Sequence, residues 1–437
     1  MERIPVQALR VLQTMEENGF QAYLVGGCVR DLLRGKTPQD WDMTTSARPE
    51  QVMALFEGYA IPTGLRHGTV TVRADGCSFE MTTFRVDGDY EDHRHPDHVT
   101  FTDDLAEDLK RRDLTVNAMA MDLRGELTDL YGGREDLKNG VIRCVGDASK
   151  RFDEDALRIL RAIRFSATLG FALEEETDRA VHELAPMLRS VAAERIREEL
   201  LKLLCGENTV QVLLQYPDVL GVFLPEILPA VGCDQRNHHH CYDVWEHIAR
   251  SVGYIAPENV LRMTMLLHDL GKPACMTVDE DGVGHFKGHA DKSCELSRDI
   301  LERLRFDRDS TERILALVKW HDAPIEPTER AMHRVLNKMT LEGTQKLLQV
   351  KRADNLAQAP AYLGRQKEID DLETLLQSIL DKDACFSLKQ LAVNGYDLLE
   401  CGYRGREIGQ TLRFLLDAVI DGKLPNDKTA LLAALEK

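Results

Sequence analysis

The chain has 437 residues, enough for two to four domains at roughly 100–200 residues each. Apolar residues make up 43% and charged residues 29%, which is ordinary for a globular chain, and no run approaches the roughly 18 apolar residues of a membrane span. The net charge of −18 excludes a general nucleic-acid coat, but not an enzyme that works on nucleic acid through local basic patches such as 109–113, 158–165 and the Arg195/Arg197 pair.

In chain order, residues 1–20 predict an amphipathic helix. Glu16 and Glu17 interrupt its apolar positions, which makes it a poor signal peptide, and a cytoplasmic protein with no membrane partner is expected. The ten cysteines are scattered with no C-x-x-C pair, which argues against a disulfide framework. "AYLVGG", "GTVTVRA", "SFEMTTFRV" and "VIRCVG" are β-rich runs bounded by Gly and Asp, and "RPEQVMALF" reads as a helix between them. From about residue 150 the pattern is helical, with apolar residues at three- and four-residue spacing in "EDALRILRAIRFSATL", "ERIREELLKLL", "VLRMTMLLHDL" and "IDDLETLLQSIL". The outline is α+β: a mixed head with a small sheet, followed by a long helical body.

Chemistry gathers first around "YLVGGCVRDLLRGKTPQDWDM" at 23–43. Gly26 and Gly27 follow an apolar strand and lead into a helix, a turn whose N–H groups suit phosphate, and Arg30 adds a charge-assisted contact. Asp40 and Asp42, two apart, would share one face of a strand and repel unless a cation such as Mg²⁺ lay between them. Glu80, in another strand-like run, would complete such a site. The competing interpretation is a loop with solvated acids.

"LVGGCVRDLL", "DWDM", "FEMTTFR", "RRDLTVNAMA" and "DLYGGREDL" occur in that order, followed by "EDALRILRAIRF" and "ERIREELLKLL". Together they resemble the class II tRNA nucleotidyltransferase and bacterial poly(A) polymerase superfamily over about 200 residues. The resemblance implies nucleotidyl transfer from a nucleoside triphosphate to an RNA 3′ end. Asp40 and Asp42 would hold two Mg²⁺ ions, with Glu80 helping at one of them. Gly26, Gly27, Arg30, Arg112, Asp113, Asn117, Arg161 and Arg164 would contact the nucleotide. Asp155 and Arg158 match the superfamily's base-selecting pair. Three apart on a predicted helix, they share a face, and their plain alternative is an intrahelical ion pair. A carboxylate only accepts and a guanidinium only donates, so the pair suits the amino group and ring nitrogen of cytosine and adenine, the bases of CTP and ATP. Segment 85–101, "RVDGDYEDHRHPDHVTF", looks like the full flexible segment that CC-adding members shorten. It favours complete CCA addition to tRNA over a CC-adding enzyme, and leaves an A-adding enzyme and a poly(A) polymerase as the alternatives.

A second constellation lies in the helical part: His247, His268, Asp269 and Asp354, with His289 and His321 as further candidates. Adjacent His-Asp with distant His and Asp partners suits a divalent transition metal. The ordered set resembles the HD phosphohydrolase superfamily. His238, His239 and His240 read as helix-lead or surface residues. The expected organisation is a nucleotidyltransferase head over 1–142, a nucleotide-selecting and RNA-binding neck over 143–206, an HD-type body over 207–360, and a tail over 361–437 that would grip tRNA. The alternative of another class is a metal phosphohydrolase whose head only recognises RNA; a non-catalytic tRNA-binding factor fits the acids poorly. The sequence carries no signal for oligomeric state.

Overall fold

The computed structural model describes residues 3–88, 99–382 and 385–435. It divides into two compact units, Met1–Pro225 and Glu226–Lys437.

The first unit opens with α1 (Val6–Glu17), which buries Ala8, Val11, Leu12 and Met15, the three- and four-residue spacing of a single helical face. There follow β1 (Ala22–Val25), α2 (Gly27–Leu33), β2 (Asp42–Thr45), α3 (Pro49–Leu55), β3 (Ala60–Gly64), β4 (Thr69–Ala74) and β5 (Cys77–Thr83). Next come β6 (Arg85–Asp87), β7 (Val99–Phe101), α4 (Leu105–Lys110), β8 (Met119–Met121), β9 (Leu127–Asp129) and α5 (Gly133–Asn139). One seven-stranded mixed sheet has the order β3-β4-β5-β2-β1-β8-β9. β2 and β5 run parallel, while β1 is antiparallel to both β2 and β8. Alternation along β5 sends Phe79 and Met81 into the core and Ser78 and Glu80 to the exposed face. Val70, Val72, Leu24 and Met43 join them in a core that includes the buried face of α1.

The rest of this unit is helical. After β10 (Val141–Ile142) come α6 (Ala148–Glu154), α7 (Leu157–Leu169), β11 (Ala172–Leu173), α8 (Glu175–Leu184), α9 (Ala193–Leu204), α10 (Thr209–Gln215) and α11 (Pro217–Leu220). The run "VIRCVG" keeps only a two-residue strand, paired in parallel with β11.

The second unit is almost wholly helical: α12 (Val244–Tyr254), α13 (Asn259–Leu267), α14 (Lys272–Cys275), the short hairpin β12 (Thr277–Val278) and β13 (Gly284–His285), α15 (His289–Arg303), α16 (Arg308–Trp320) and α17 (Glu329–Leu356). Then follow α18 (Arg365–Asp381), α19 (Gly395–Glu400), α20 (Arg406–Ile420) and α21 (Lys428–Ala433). Leu398, Leu415, Leu416 and Leu431 make a small core of their own near the C-terminus. Among the described residues no helix is long and apolar enough to cross a membrane, and all ten cysteines are free thiols.

Candidate active site and candidate metal centre

Asp42 opens β2, and its register partner on β5 is Glu80, so two exposed carboxylates stand side by side on adjacent strands. Asp40 lies in a bend just ahead of β2. Strand alternation therefore does not place Asp40 beside Asp42; the shared-face expectation gives way to an acid on the lead-in to the strand. The acids still feel one another. Although one side of Asp42 stays open, partial desolvation by the protein around it raises its carboxyl above the ordinary carboxylate range, and Glu80 and Asp40 push it further, against the opposing charge of Arg112. A carboxylate hard to ionise beside two others marks a site short of positive charge, and an oxygen-only donor set fits Mg²⁺.

Gly26 holds the turn beside these acids at φ +77, a conformation that L side chains rarely adopt. A Cβ there would lie 3.4 Å from Arg112 Nη1 and 4.0 Å from Asp42 Oδ2 and from the Asn117 carbonyl oxygen. Arg30, on α2 beyond Gly27, donates to Asn117 Oδ1 at 2.8 Å and pairs with Asp31 at 2.9 Å. The turn thus brings Gly26, Gly27, Arg30, Arg112 and Asn117 to the acid pair.

Asp113 is largely but not fully enclosed, its Oδ2 accepting from Arg161 Nε at 2.8 Å and its Oδ1 from the Leu114 N–H at 2.8 Å. Burial would raise its carboxyl, but Arg161 outweighs this and holds it well below the usual range. Arg164 is buried, donating to Glu199 Oε2 at 2.7 Å and lying 3.5 Å from the Phe165 ring centroid. The guanidinium groups of Arg30 and Arg161 approach the same ring at 5.3 and 5.6 Å. The three-residue spacing of Arg158, Arg161 and Arg164 signalled that face, but nothing marked Phe165 as the ring the cations share.

Asp155 and Arg158 do not occupy one helix. α6 ends at Glu154, Asp155 is extended (φ −140, ψ 103), and α7 starts at Leu157, whose N–H donates to Asp155 Oδ1 at 3.1 Å. A short polar side chain satisfying the first turn of the next helix favours this break. Asp155 takes a two-point ion pair from Arg195 of α9, at 3.2 and 2.8 Å. Arg158 donates to Glu154 Oε2 at 2.6 Å and to the carbonyls of Arg151 and Arg111 at 3.2 and 3.1 Å. A cleft of about 700 Å³ opens beside Glu154, lined also by Lys110, Arg111, Lys150 and Arg151. Of segment 85–101, residues 89–98 lie outside the described residues.

Asp108 is a residue the sequence did not single out. Fully buried in α4, it accepts from Thr44 of β2 at 3.1 Å, from Arg111 at 2.8 Å and from Arg112 at 3.2 Å. It ties the strand of Asp42 to the arginine that faces Gly26.

In the second unit six side chains converge. His247 (α12), His268 and Asp269 (just after α13) and Asp354 (α17) form one candidate ligand group; Asp269, His289 (α15) and His321 (just after α16) form another. Asp269 bridges them. Its Oδ2 lies 3.1 Å from His247 Nε2 and 3.2 Å from His268 Nε2, and its Oδ1 lies 3.3 and 3.5 Å from the Nε2 atoms of His289 and His321. All four histidines turn Nδ1 toward a backbone carbonyl: Ala357 at 3.2 Å, Met265 at 2.7 Å, Phe286 at 2.9 Å and Val318 at 2.6 Å. Donation there fixes the tautomer that leaves an Nε2 lone pair facing inward, the outer-shell arrangement of histidine metal ligands. The inward nitrogens approach one another at 3.3 Å (His247 and His268) and 3.2 Å (His289 and His321) around the buried Asp269 carboxylate, whose Oδ2 also pairs with the Lys272 ammonium at 2.7 Å. Four inward imidazole nitrogens around two carboxylates with a single ammonium partner suit a cation, and the N/O donor set fits a divalent transition metal. Without a metal ion beside it, burial pushes His268 down, yet Asp269 and Asp354 outweigh it and hold its imidazole up at about 10, so a metal that takes its Nε2 displaces a proton from it.

His240 corrects the surface reading of the histidine run. Its ring meets His247 edge-on at 5.1 Å and lines the cavity over the six-residue cluster.

Residues 22–143 match the poly A polymerase head domain, residues 170–230 the probable RNA and SrmB-binding site of polymerase A, and residues 289–435 the putative domain 2 of tRNA nucleotidyltransferase. A CCA-adding enzyme of Lactobacillus helveticus is 55% identical over 206 residues, a stretch that spans 47% of this chain and only 51% of that protein. The fold is similar to that of the Bacillus stearothermophilus CCA-adding enzyme solved in complex with CTP, with a TM-score of 0.74 and 32% identity across 98% of this chain and 96% of that one. A CCA-adding enzyme of Levilactobacillus brevis is 35% identical over 100% of this chain and 99% of its own length. Alike from end to end to that relative in sequence and to the Bacillus enzyme in fold, the chain belongs to the CCA-adding enzyme family.

Proposed function

We propose that the chain adds C, C and A to tRNA 3′ ends, taking the nucleotides from CTP and ATP without a nucleic-acid template. The observation that carries this is Asp42 in register with Glu80, beside the Gly26 turn that Arg112 and Asn117 face. The primer 3′-oxygen forms a bond to the α-phosphorus, the bond from that phosphorus to the β-phosphate oxygen breaks, pyrophosphate leaves, and the hydroxyl proton passes to solvent. When bound at Asp40, Asp42 and Glu80, Mg²⁺ supplies activation of the attacking oxygen and charge stabilisation of the leaving one. The turn at Gly26 and Gly27, with Arg30 and Arg112, holds the triphosphate, and Asp113 and Asn117 hold the sugar. Arg161 and Arg164 add positive charge behind them. Asp155 and Arg158 read the base. Arg195 and Glu154 fix them in place, and both keep capacity for a base edge, since a carboxylate accepts several donors and a guanidinium carries five N–H groups.

The domain reading that goes with this is a head over 1–142, a neck over 143–206, a body over 207–360 and a tail over 361–437 that grips tRNA. The test is incubation of the protein with tRNA lacking CCA and each labelled triphosphate in turn. CTP is expected to enter twice and ATP once afterwards. A ladder of A would make the chain a poly(A) polymerase, and A only after a preformed CC would make it a partial enzyme.

A second activity is favoured by the six-residue cluster: an HD-type phosphohydrolase in the body, holding divalent transition metal on His247, His268, Asp269, Asp354, His289 and His321. Release of phosphate from small phosphate esters, compared between the wild type and Asp269→Ala, tests it. Equal rates would remove it.

A further inference from the structure

Three consecutive histidines, 238–240, have different surroundings. His239 stacks on Tyr362 at 4.1 Å, and His238 lies against both rings. His240 instead lines a cavity of about 320 Å³ together with Asp269, Lys272, Lys287, His289, His321 and Asp354. Its Nδ1 is buried and has no hydrogen-bond partner. Buried polar atoms are nearly always paired, so an unpaired nitrogen on a cavity wall points to something the cavity receives.

The loop that carries His240 is pinned. Asn237 accepts from the His239 N–H at 2.9 Å and from the His240 N–H at 3.0 Å, and its own side chain donates to the Gly284 carbonyl at 3.2 Å. The Ala359 N–H donates to the His239 carbonyl at 2.9 Å. Gln235 donates to the Tyr242 carbonyl at 3.1 Å and accepts from Lys272 Nζ at 2.9 Å. A Cβ on Gly284 would collide with the Gln235 carbonyl oxygen, so hairpin and loop lie in direct backbone contact. His240 belongs to neither candidate ligand group. It is held on the rim of the cluster.

We propose that His240 is a substrate-binding residue of the body's metal centre, whose free ring nitrogen donates to a phosphoryl oxygen of a phosphate ester seated over the cluster. This rests on the metal reading of the six ligands. The cavity's charge and size define the ligand. Lys272 and Lys287 offset two of the three carboxylates on its wall (Asp269, Asp322 and Asp354), so divalent metal on the cluster turns the cavity positive and favours an anion, and about 320 Å³ suits a phosphate group with a small substituent and excludes a folded RNA arm. A phosphoryl oxygen accepts and an imidazole N–H donates, so the pairing satisfies the buried ring nitrogen that the loop leaves unpaired.

The experiment loads full-length wild type, His240→Ala and His240→Asn with Mn²⁺. It measures bound metal per chain and then inorganic phosphate binding by titration calorimetry. Equal metal in all three is expected, with phosphate affinity roughly tenfold weaker in His240→Ala and partly restored in His240→Asn, whose amide nitrogen stands near the Nδ1 position. Equal phosphate affinity in wild type and His240→Ala would overturn the role of His240 and leave the metal reading intact. Metal lost on His240→Ala alone would make His240 a ligand and overturn it as well. A wild type that retains no metal would end both readings together.

Discussion

The two constellations solve the same problem, a cation against carboxylates, in opposite ways. In the head the acids are few, oxygen-only and set on the exposed face of a sheet, and Asp42 is left hard to ionise. In the second unit the ligands are buried, mostly imidazole, and each ring is oriented by a carbonyl behind it. The difference teaches which cation is resident. The head is incomplete until a triphosphate brings its own oxygens, as Mg²⁺ sites at phosphates are. The buried cluster is preorganised, so metal bound there as proposed would stay through turnover.

The largest expected break is Asp42→Asn, which removes a metal-binding charge and keeps the shape. Incorporation of CTP and ATP falls at least roughly 10³-fold while tRNA binding in a filter assay stays. Substantial residual incorporation would contradict the head assignment.

Asp113→Asn tests a carboxylate of the opposite kind. Its folded pKa lies below its unfolded value of about 3.9, so its pair with Arg161 contributes stability above that pH and loses it as pH falls below. Unfolding at pH 7 is expected to show a loss of about 3–5 kcal/mol. The gap between wild type and variant narrows below about pH 4; a gap constant down to pH 3 would contradict the pairing.

Arg158→Ala sharpens the base-reading pair. Discrimination of CTP and ATP against UTP and GTP drops roughly 10–100-fold in single-nucleotide kcat/KM values. Unchanged selectivity would assign reading to other groups.

The smallest effect is on stability at Asp42. A carboxyl raised in the fold disfavours folding above its unfolded pKa, so Asp42→Asn raises the unfolding free energy at pH 7 without divalent cations by about 1 kcal/mol or less, read as a small rise in Tm. Lowered stability would mean that Arg112 dominates there.

How much was legible follows from which forces are local. β4 and β5 announced themselves because Val70, Val72, Phe79 and Met81 alternate with polar residues, and that alternation sends Glu80 to the exposed face. β8, "MAM", was missed: Ala and Met favour helices, and the strand exists because β1 and β9 pair with it on both edges. Asp155 looked helical by spacing, but its side chain caps the next helix and Arg195, forty residues on, holds it. Asp108 and Phe165 gave no signal, since their roles come from partners distant in sequence. The six metal-ligand candidates were readable because an adjacent His-Asp with distant His and Asp partners is an ordered pattern in the sequence itself, and these side chains do converge. His240 was not, because a run of three histidines looks the same whether one of them or none faces a cavity.

The most direct test of the contrast is metal analysis after extensive desalting of wild type, Asp42→Asn and Asp269→Ala. The account predicts two divalent transition-metal ions per chain in wild type and in Asp42→Asn, one for each ligand group that shares Asp269, and none in Asp269→Ala. A wild type that comes through desalting free of metal, or metal that is lost with Asp42 and kept without Asp269, would contradict it.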